Sequence, residues 1–169
     1  MPARDGRLKA REFLFYTEDL AYAALPDGVP RPERRVMWTI LQFHWGQPAA
    51  HIELQPQLSR RVVELGLHFE GPAEWNDALA RRVAAHAPEL MAALGEGWEL
   101  EEWTASWRRL HRTYPFEDHL TTALGREVAD GLARALRVLR PFALAEAPPA
   151  APPPRATVRE DRWRRHARR

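Results

Sequence analysis

Histidine and glutamate residues in the second quarter of the chain recur at spacings that could bind a metal ion. His44, His51, Glu53, His68 and Glu70 fall in three short segments that are separated by turn-like sequences. If these segments pair as antiparallel strands, directly opposed side chains would lie about 4.5–5.5 Å apart at Cβ. The simplest register places the three imidazoles in one row, with the two carboxylates beside them.

Imidazole and carboxylate groups are ligands for Zn²⁺, Mn²⁺ and other first-row metals, and an open coordination position can activate water. One hypothesis is therefore a metal-dependent hydrolase or nuclease that uses Zn²⁺ or Mn²⁺. The alternative is a polar, half-exposed sheet face that binds no metal. The row depends on two inferred turns, and a register shift of two residues would keep the face but break the row.

Three segments must form strands to align these residues. Residues 36–45, 49–57 and 62–70 are rich in β-branched and aromatic residues. In the third segment apolar residues alternate with polar ones, which predicts one apolar and one polar face. This pattern is typical of an antiparallel meander that is covered on one side.

The rest of the chain predicts helices and a second hairpin. Apolar spacing predicts helices over 8–24, over 75–94 with a kink or break at Pro88, and over 120–139, where Pro141 ends the helix. A short hairpin is predicted over 98–114. The predicted fold class is α+β: an antiparallel sheet, formed by a three-stranded meander plus a short hairpin, with helices on one face. The predicted order is α-β-β-β-α-β-β-α.

The second hairpin concentrates aromatic and basic residues. Trp103 and Trp107 flank its turn, and Arg108, Arg109 and Arg112 follow on the return strand. Aromatic rings stack on nucleic-acid bases, and arginine contacts phosphates. A stacking surface for bases or another ligand is one hypothesis, and aromatic packing that stabilises the hairpin is the other.

Composition excludes several classes of site. The chain has no cysteine, which excludes disulfides, thiolate metal sites and cysteine nucleophiles. No apolar run approaches the roughly 20 residues that span a bilayer. The first residues also lack the apolar stretch of a signal peptide. We therefore expect a cytoplasmic protein without membrane contact.

The net charge of +2 is divided unevenly along the chain. Residues 155–169 contain seven arginines and two acidic residues, a net charge of +5, so the first 154 residues carry −3. This tail has few apolar residues and is predicted to be disordered. An Ala/Pro-rich linker over 145–154 would join it to a single α+β domain over 1–144.

The tail is predicted to contact nucleic acid without sequence specificity, because arginine suits phosphates and tryptophan can stack on a base. A solubilising terminus without a fixed partner is the alternative. The residues expected to make the contacts are Arg155, Arg159, Arg162, Trp163, Arg164, Arg165, Arg168 and Arg169.

Several features from residue 62 onward suggest a relationship to a known family. They are the strand sequence VVELGLHFEG, the helix with Asn76 that follows, the exit over 94–103, and a last helix that ends in Arg-Pro-Phe at 140–142. With these features residues 62–144 resemble a prokaryotic domain of unknown function that is often appended to restriction-endonuclease-like proteins. The resemblance implies an association with nucleic-acid processing or defence systems, and it assigns no catalytic residue.

The preferred functional interpretation is a non-enzymatic binding or accessory module. Its body would dock a protein partner or a second copy, its tail would add affinity for nucleic acid, and no cofactor would be needed. The charge division and the absence of a catalytic sequence motif favour it. The metal-dependent hydrolase or nuclease is one alternative. A small dimeric chaperone-like protein is the other, because the element order also looks like that of secretion chaperones.

Overall fold

The computed structural model describes residues 5–149, which form an α+β fold with one six-stranded antiparallel sheet and five helices. The strands are β1 (Glu33–Met37), β2 (Ile40–His44), β3 (Ala50–Gln57), β4 (Val62–Phe69), β5 (Glu99–Glu102) and β6 (Arg108–Pro115). The helices are α1 (Ala10–Ala24), α2 (Ala73–Ala85), α3 (Ala87–Leu94), α4 (Thr122–Val138) and α5 (Arg140–Ala143). The predicted fold class is confirmed.

The strands lie in the order β1-β2-β3-β4-β6-β5, and every neighbouring pair is antiparallel. His51 opposes His68, and Gln42 opposes Glu53, as the two inferred turns predict. Because the side-chain period of a strand is two, this register also determines which residues share a face. The predicted register between β2, β3 and β4 is confirmed.

The apolar residues of the central strands form one face of the sheet, and the helices pack on it. In β2, β3 and β4 the fully buried members are Leu41, Phe43, Ala50, Ile52, Leu54, Val63, Leu65, Leu67 and Phe69. The amphipathic helix α4 adds Val128, Leu132 and Leu136 to this core at a spacing of four residues. Burial of each such side chain contributes about 1.5–3 kcal/mol, so this face supplies most of the stability.

Residues 36–45 contain parts of two strands rather than the single strand predicted, so the meander has four strands instead of three. Trp38 and Thr39 form a tight turn between β1 and β2, and Trp38 has a φ of 51°. Arg11 Nη1 donates a hydrogen bond to the carbonyl of Trp38 at 2.9 Å. The turn lacks the glycine, asparagine or aspartate that usually marks a two-residue hairpin, so the sequence pattern missed it.

Pro88 and Pro141 each lie in the first turn of a helix. The helix predicted over 75–94 is divided into α2 and α3, and Pro88 lies in the first turn of α3. The helix predicted over 120–139 ends at Val138, shortly before Pro141 as predicted, and Pro141 lies in the first turn of the short helix α5. Proline has no amide hydrogen to lose in a first turn, where that group has no intrahelical acceptor.

The last described residues lie against the folded body. Residues 145–149, in the predicted linker, have no helix or strand. The carbonyl of Glu146 accepts a hydrogen bond from Trp75 Nε1 at 3.2 Å, which fixes this stretch beside α2. Among the helices of residues 5–149, none combines the length and apolar character needed to cross a membrane.

Candidate metal centre

Four of the predicted residues form a compact cluster on the polar face of the sheet, at β3 and β4. His51, Glu53, His68 and Glu70 each offer one ligand atom, and these atoms lie within 4.8 Å of one another. His51 Nε2 is 3.4 Å from Glu53 Oε2, and His68 Nδ1 is 3.4 Å from Glu70 Oε1. Bonds of about 2.1 Å to a tetrahedral ion place two ligand atoms about 3.4 Å apart. The two 3.4 Å pairs therefore match a first-row metal, and the 4.0 Å separation of His51 Nε2 from Glu70 Oε1 would have to shorten for tetrahedral binding.

The cluster is buried, which overturns the interpretation of a half-exposed polar face. His51, Glu53 and His68 expose only 1%, 5% and 0% of their surface, and the side chain of Glu70 exposes 21%. The ring of Trp103 lies edge-on against His68, with centroids 5.1 Å apart. Burial of carboxylates is costly unless they are paired or bind a cation, so this cluster requires a compensating charge.

The backbone fixes the ring of His51. Its Nδ1 lies 2.8 Å from the carbonyl oxygen of Pro48, in the turn between β2 and β3. A carbonyl can only accept, so Nδ1 carries a hydrogen, and in a neutral ring the lone pair is on Nε2, which faces the cluster. Nε2 is buried and has no hydrogen-bond partner within residues 5–149. Metal-bound histidines commonly have this arrangement, in which the other ring nitrogen donates to a carbonyl or carboxylate.

His68 stacks on His51, with ring centroids 5.5 Å apart. Its Nε2 lies 3.2 Å from Glu64 Oε1, whereas Nδ1 faces Glu70 and makes no hydrogen bond to the described part of the chain. Burial opposes a proton on the ring, but the carboxylates of Glu64 and Glu70 outweigh it and raise the pKa of His68 to about 9. With no ion bound, the ring is protonated at neutral pH, and a metal would replace one proton.

Glu53 is oriented by Gln42, which lies opposite it on β2. Gln42 Nε2 donates a hydrogen bond to Glu53 Oε2 at 2.9 Å, and both side chains are buried. Burial alone would raise the pKa of Glu53, but His51, His68 and Gln42 outweigh it and hold the pKa below its usual value. The Glu53 side chain is therefore an ionised carboxylate that is already held in place.

Arg109 and Glu64 form a buried ion pair behind His68. Arg109 Nη1 donates to both oxygens of Glu64 at 2.7 Å, and its Nε donates to Glu101. Burial would raise the pKa of Glu64, but the hydrogen bond from His68 and the charges of His68 and Arg109 lower it to about 2. Glu64 is therefore ionised at neutral pH.

The sequence interpretation did not assign Gln42, Glu64 or Arg109 to this site. Gln42 and Glu64 lie on the predicted polar face, so the strand register could have identified them. Arg109 comes from β6, which pairs with β4 and places Arg109 opposite His68. Two helices and a strand separate β4 from β6 along the chain, so no local pattern indicates this pairing.

As long as the ring of His51 is neutral, the buried charges around the cluster do not balance without a further cation. Glu53, Glu64 and Glu70 carry three negative charges, and Arg109 supplies one positive charge. A proton on His68 reduces the excess to one negative charge. One divalent cation bound to a neutral His68 would remove the excess completely, so the charge of the cluster suits a divalent metal.

His44 lies outside the cluster, whose ligand atoms belong only to His51, Glu53, His68 and Glu70 within the described residues. The paired residues of β2 and β3 end at Phe43 and Ile52, one position before His44 and His51. His44 Nε2 lies 4.0 Å from Glu33 Oε2 instead. Glu33 belongs to β1, the strand that the sequence pattern missed, so the additional neighbour changes the surroundings of His44.

The aromatic residues of the second hairpin lie beside the cluster. Trp103 and Trp107 contact each other, with ring centroids 5.7 Å apart, and Trp103 exposes 38% of its surface. The guanidinium carbon of Arg109 lies 4.9 Å from the centre of the Trp103 ring. Arg109 also pairs with Glu64 and Glu101, so its positive charge is already balanced by carboxylates of the protein itself.

The other two arginines of the predicted stacking surface contact other parts of the protein. Arg108 Nε lies 2.8 Å from Asp77 Oδ1 of α2. Arg112 lies over the ring of Tyr114, with 4.2 Å between its guanidinium carbon and the ring centre. Both residues belong to the face opposite Arg109, because successive side chains of a strand alternate. The structure therefore does not bring Arg108, Arg109 and Arg112 into one surface.

The eight tail residues predicted to contact nucleic acid, between Arg155 and Arg169, lie outside residues 5–149. Their role stays a prediction that depends on composition and charge.

Comparisons with protein-family models, curated proteins and solved structures give no match for this chain. The resemblance of residues 62–144 to a nuclease-associated domain stays an expectation. Function must therefore be inferred from the chemistry of the site.

Proposed function

We propose that this protein binds a divalent first-row metal ion through His51, Glu53, His68 and Glu70. The observation that carries the proposal is a pair of buried imidazole nitrogens, His51 Nε2 and His68 Nδ1. Both face carboxylates, and neither has a hydrogen-bond partner in the described range. A buried polar atom without a partner costs about 1–3 kcal/mol, and coordination of one ion would satisfy both nitrogens.

The donor set narrows the choice of metal. Two imidazoles and two carboxylates, with no thiolate in the chain, suit Zn²⁺ or Mn²⁺ better than Cu⁺. Tetrahedral Zn²⁺ would be saturated by four protein ligands, whereas six-coordinate Mn²⁺ would keep positions for water or substrate. Glu70 is the partly exposed ligand, so a water or substrate would reach the metal on that side. This exposure supports metal-dependent hydrolysis as the activity to test.

Metal content and calorimetric titration test the proposal. Protein purified without a histidine tag and treated with chelator should bind one Zn²⁺ or Mn²⁺ per chain, with a rise in Tm that follows mass action. His51→Ala and Glu53→Gln should lose this binding. The matched control is His119→Ala, which removes an exposed histidine outside the cluster and should bind like wild type. Absence of stoichiometric binding by wild type, or equal binding by His51→Ala, would contradict the proposal.

We also propose that the tail contacts nucleic acid, because seven arginines fall within residues 155–169. Full-length protein should shift single- and double-stranded nucleic acid in gels, with an affinity that falls steeply with salt. Arg164→Gln combined with Arg165→Gln should reduce both affinity and salt dependence. The same changes at Arg81 and Arg137, which are exposed on the folded body, serve as the control. No binding by wild type, or equal losses in both variants, would contradict a role for the tail.

A further inference from the structure

We infer that Glu64 is the positioning residue of this metal site, because it holds the His68 ring so that Nδ1 rather than Nε2 coordinates the ion. The inference rests on the proposed metal binding and specifies which nitrogen each histidine uses.

Glu64 contacts the nitrogen of His68 that points away from the cluster. Glu64 Oε1 lies 3.2 Å from His68 Nε2, and the two residues expose 2% and 0% of their surface. An ionised carboxylate can only accept, so Nε2 must carry the hydrogen of this bond. In a neutral imidazole the lone pair is then on Nδ1, which faces Glu70 and the cluster.

The carboxylate of Glu64 cannot rotate freely, because each oxygen accepts two hydrogen bonds. Oε1 accepts from Arg109 Nη1 at 2.7 Å and from His68. Oε2 accepts from the same Arg109 nitrogen at 2.7 Å and from Gln57 Nε2 at 2.9 Å. A carboxylate offers about four lone-pair positions, and all are occupied here. The orientation of His68 is therefore imposed by partners from β3, β4 and β6.

Gly66 makes the contact between Glu64 and His68 possible. The two residues lie on the same face of β4, and their Cα atoms are about 13 Å apart at the usual rise of a strand. Gly66 is the residue of that face between them, and it has no side chain to separate the carboxylate from the ring. A Cβ added at Gly66 would lie 2.7 Å from His111 Cβ and 3.2 Å from His68 Nε2.

The two histidines would therefore bind the ion through different nitrogens. His51 would use Nε2 because Pro48 takes the hydrogen of Nδ1, and His68 would use Nδ1 because Glu64 takes the hydrogen of Nε2. An ion pair without metal would not produce this asymmetry, because both nitrogens of His68 would then carry hydrogens.

Long-range proton–nitrogen NMR of the histidine rings in the full-length, Zn²⁺-loaded protein tests the inference without any substitution. We expect His68 to be coordinated through Nδ1 with a hydrogen on Nε2, and His51 to show the reverse. Coordination of His68 through Nε2 would overturn the inference while the proposed metal binding stands. A wild-type protein that binds no Zn²⁺ would overturn both.

Substitution of Glu64 gives a second test. Glu64→Ala should weaken Zn²⁺ binding by about 10–100-fold, the usual cost of losing a group that orients a metal-bound histidine. It should also let the His68 ring use either nitrogen in the Zn²⁺-loaded protein. The matched control is Glu101→Ala, which removes the other carboxylate that Arg109 contacts and leaves His68 untouched. Equal affinity in Glu64→Ala and Glu101→Ala would overturn the inference, and if Glu64→Ala does not fold, the wild-type NMR experiment decides.

Discussion

The two faces of the central strands are both buried, but for different physical reasons. On one face, residues such as Phe43 and Leu65 pack under helices, and these apolar contacts need no particular direction. On the other face, Glu53, Glu64 and His68 are each held by specific partners at hydrogen-bond distances. The same strands therefore provide stability on one side and, on the other, a site that depends on exact pairing.

The polar face, which carries the candidate metal ligands, destabilises the metal-free protein. Without an ion it has more carboxylates than positive groups, and two ring nitrogens face the cluster without hydrogen-bond partners in the described range. The apolar core offsets this cost because its burial is extensive. If the two faces have separate roles, a substitution on the apolar face should reduce stability and spare metal binding. A substitution of a ligand on the polar face should abolish metal binding and change stability little.

The largest effect is expected on the apolar face. Phe43→Ala removes a fully buried ring and should cost about 3–5 kcal/mol of the free energy of unfolding. Urea unfolding would measure this loss, and a Zn²⁺ titration of the folded variant should give an affinity close to that of wild type. A folded Phe43→Ala protein that no longer binds Zn²⁺ would break the separation between the faces.

A fall in pH should destabilise the protein through the carboxylate of Glu64 on the polar face. The folded-state pKa of Glu64 is about 2, below its ordinary value of 4.5, so the folded state binds this proton less readily than the unfolded chain. The contribution of Glu64 to stability is therefore present above pH 4.5 and is lost as the pH falls toward 2. The urea midpoint of the metal-free protein should fall over this range, and the fall should be shallower in Glu64→Ala. Parallel curves for the two proteins would contradict this origin of acid sensitivity.

Gly66→Ala tests how tightly the polar face is packed. The added methyl group would meet His111 Cβ at 2.7 Å, and we expect a loss of about 1–3 kcal/mol, as for other overpacked sites. Gly6→Ala is the matched control, because a Cβ there has its nearest neighbour at an ordinary 3.6 Å. Thermal unfolding of both variants would show whether the loss is confined to Gly66.

The smallest effect on folding, and the sharpest contrast between the faces, is expected for Glu53→Gln. The substitution keeps the shape of the side chain but removes a negative charge that the folded state favours, as the lowered pKa of Glu53 indicates, so the metal-free protein should lose less than about 1 kcal/mol of stability. The rise in Tm on addition of Zn²⁺ should disappear. A large loss of stability without metal would show that the carboxylate is needed for folding itself.

The strand register and the sharing of faces could be predicted because both depend on neighbouring segments. Two tight turns and a period of two place His51 opposite His68 and Gln42 opposite Glu53. The turn at Trp38 could not be predicted, because its residues are those of a strand. Because β1 was not predicted, Glu33 was not recognised as a neighbour of His44, and His44 was assigned to the cluster.

By itself the sequence determined the α+β class, the pairing of β2, β3 and β4, and the presence of histidines and glutamates on one face. Only the tertiary structure decided that this face is buried and that Arg109 reaches Glu64 from a strand distant in the chain. The physical reason is that alternation and turns act over a few residues. Desolvation and charge pairing depend on every strand that surrounds a side chain, so they exist only when the whole sheet has formed.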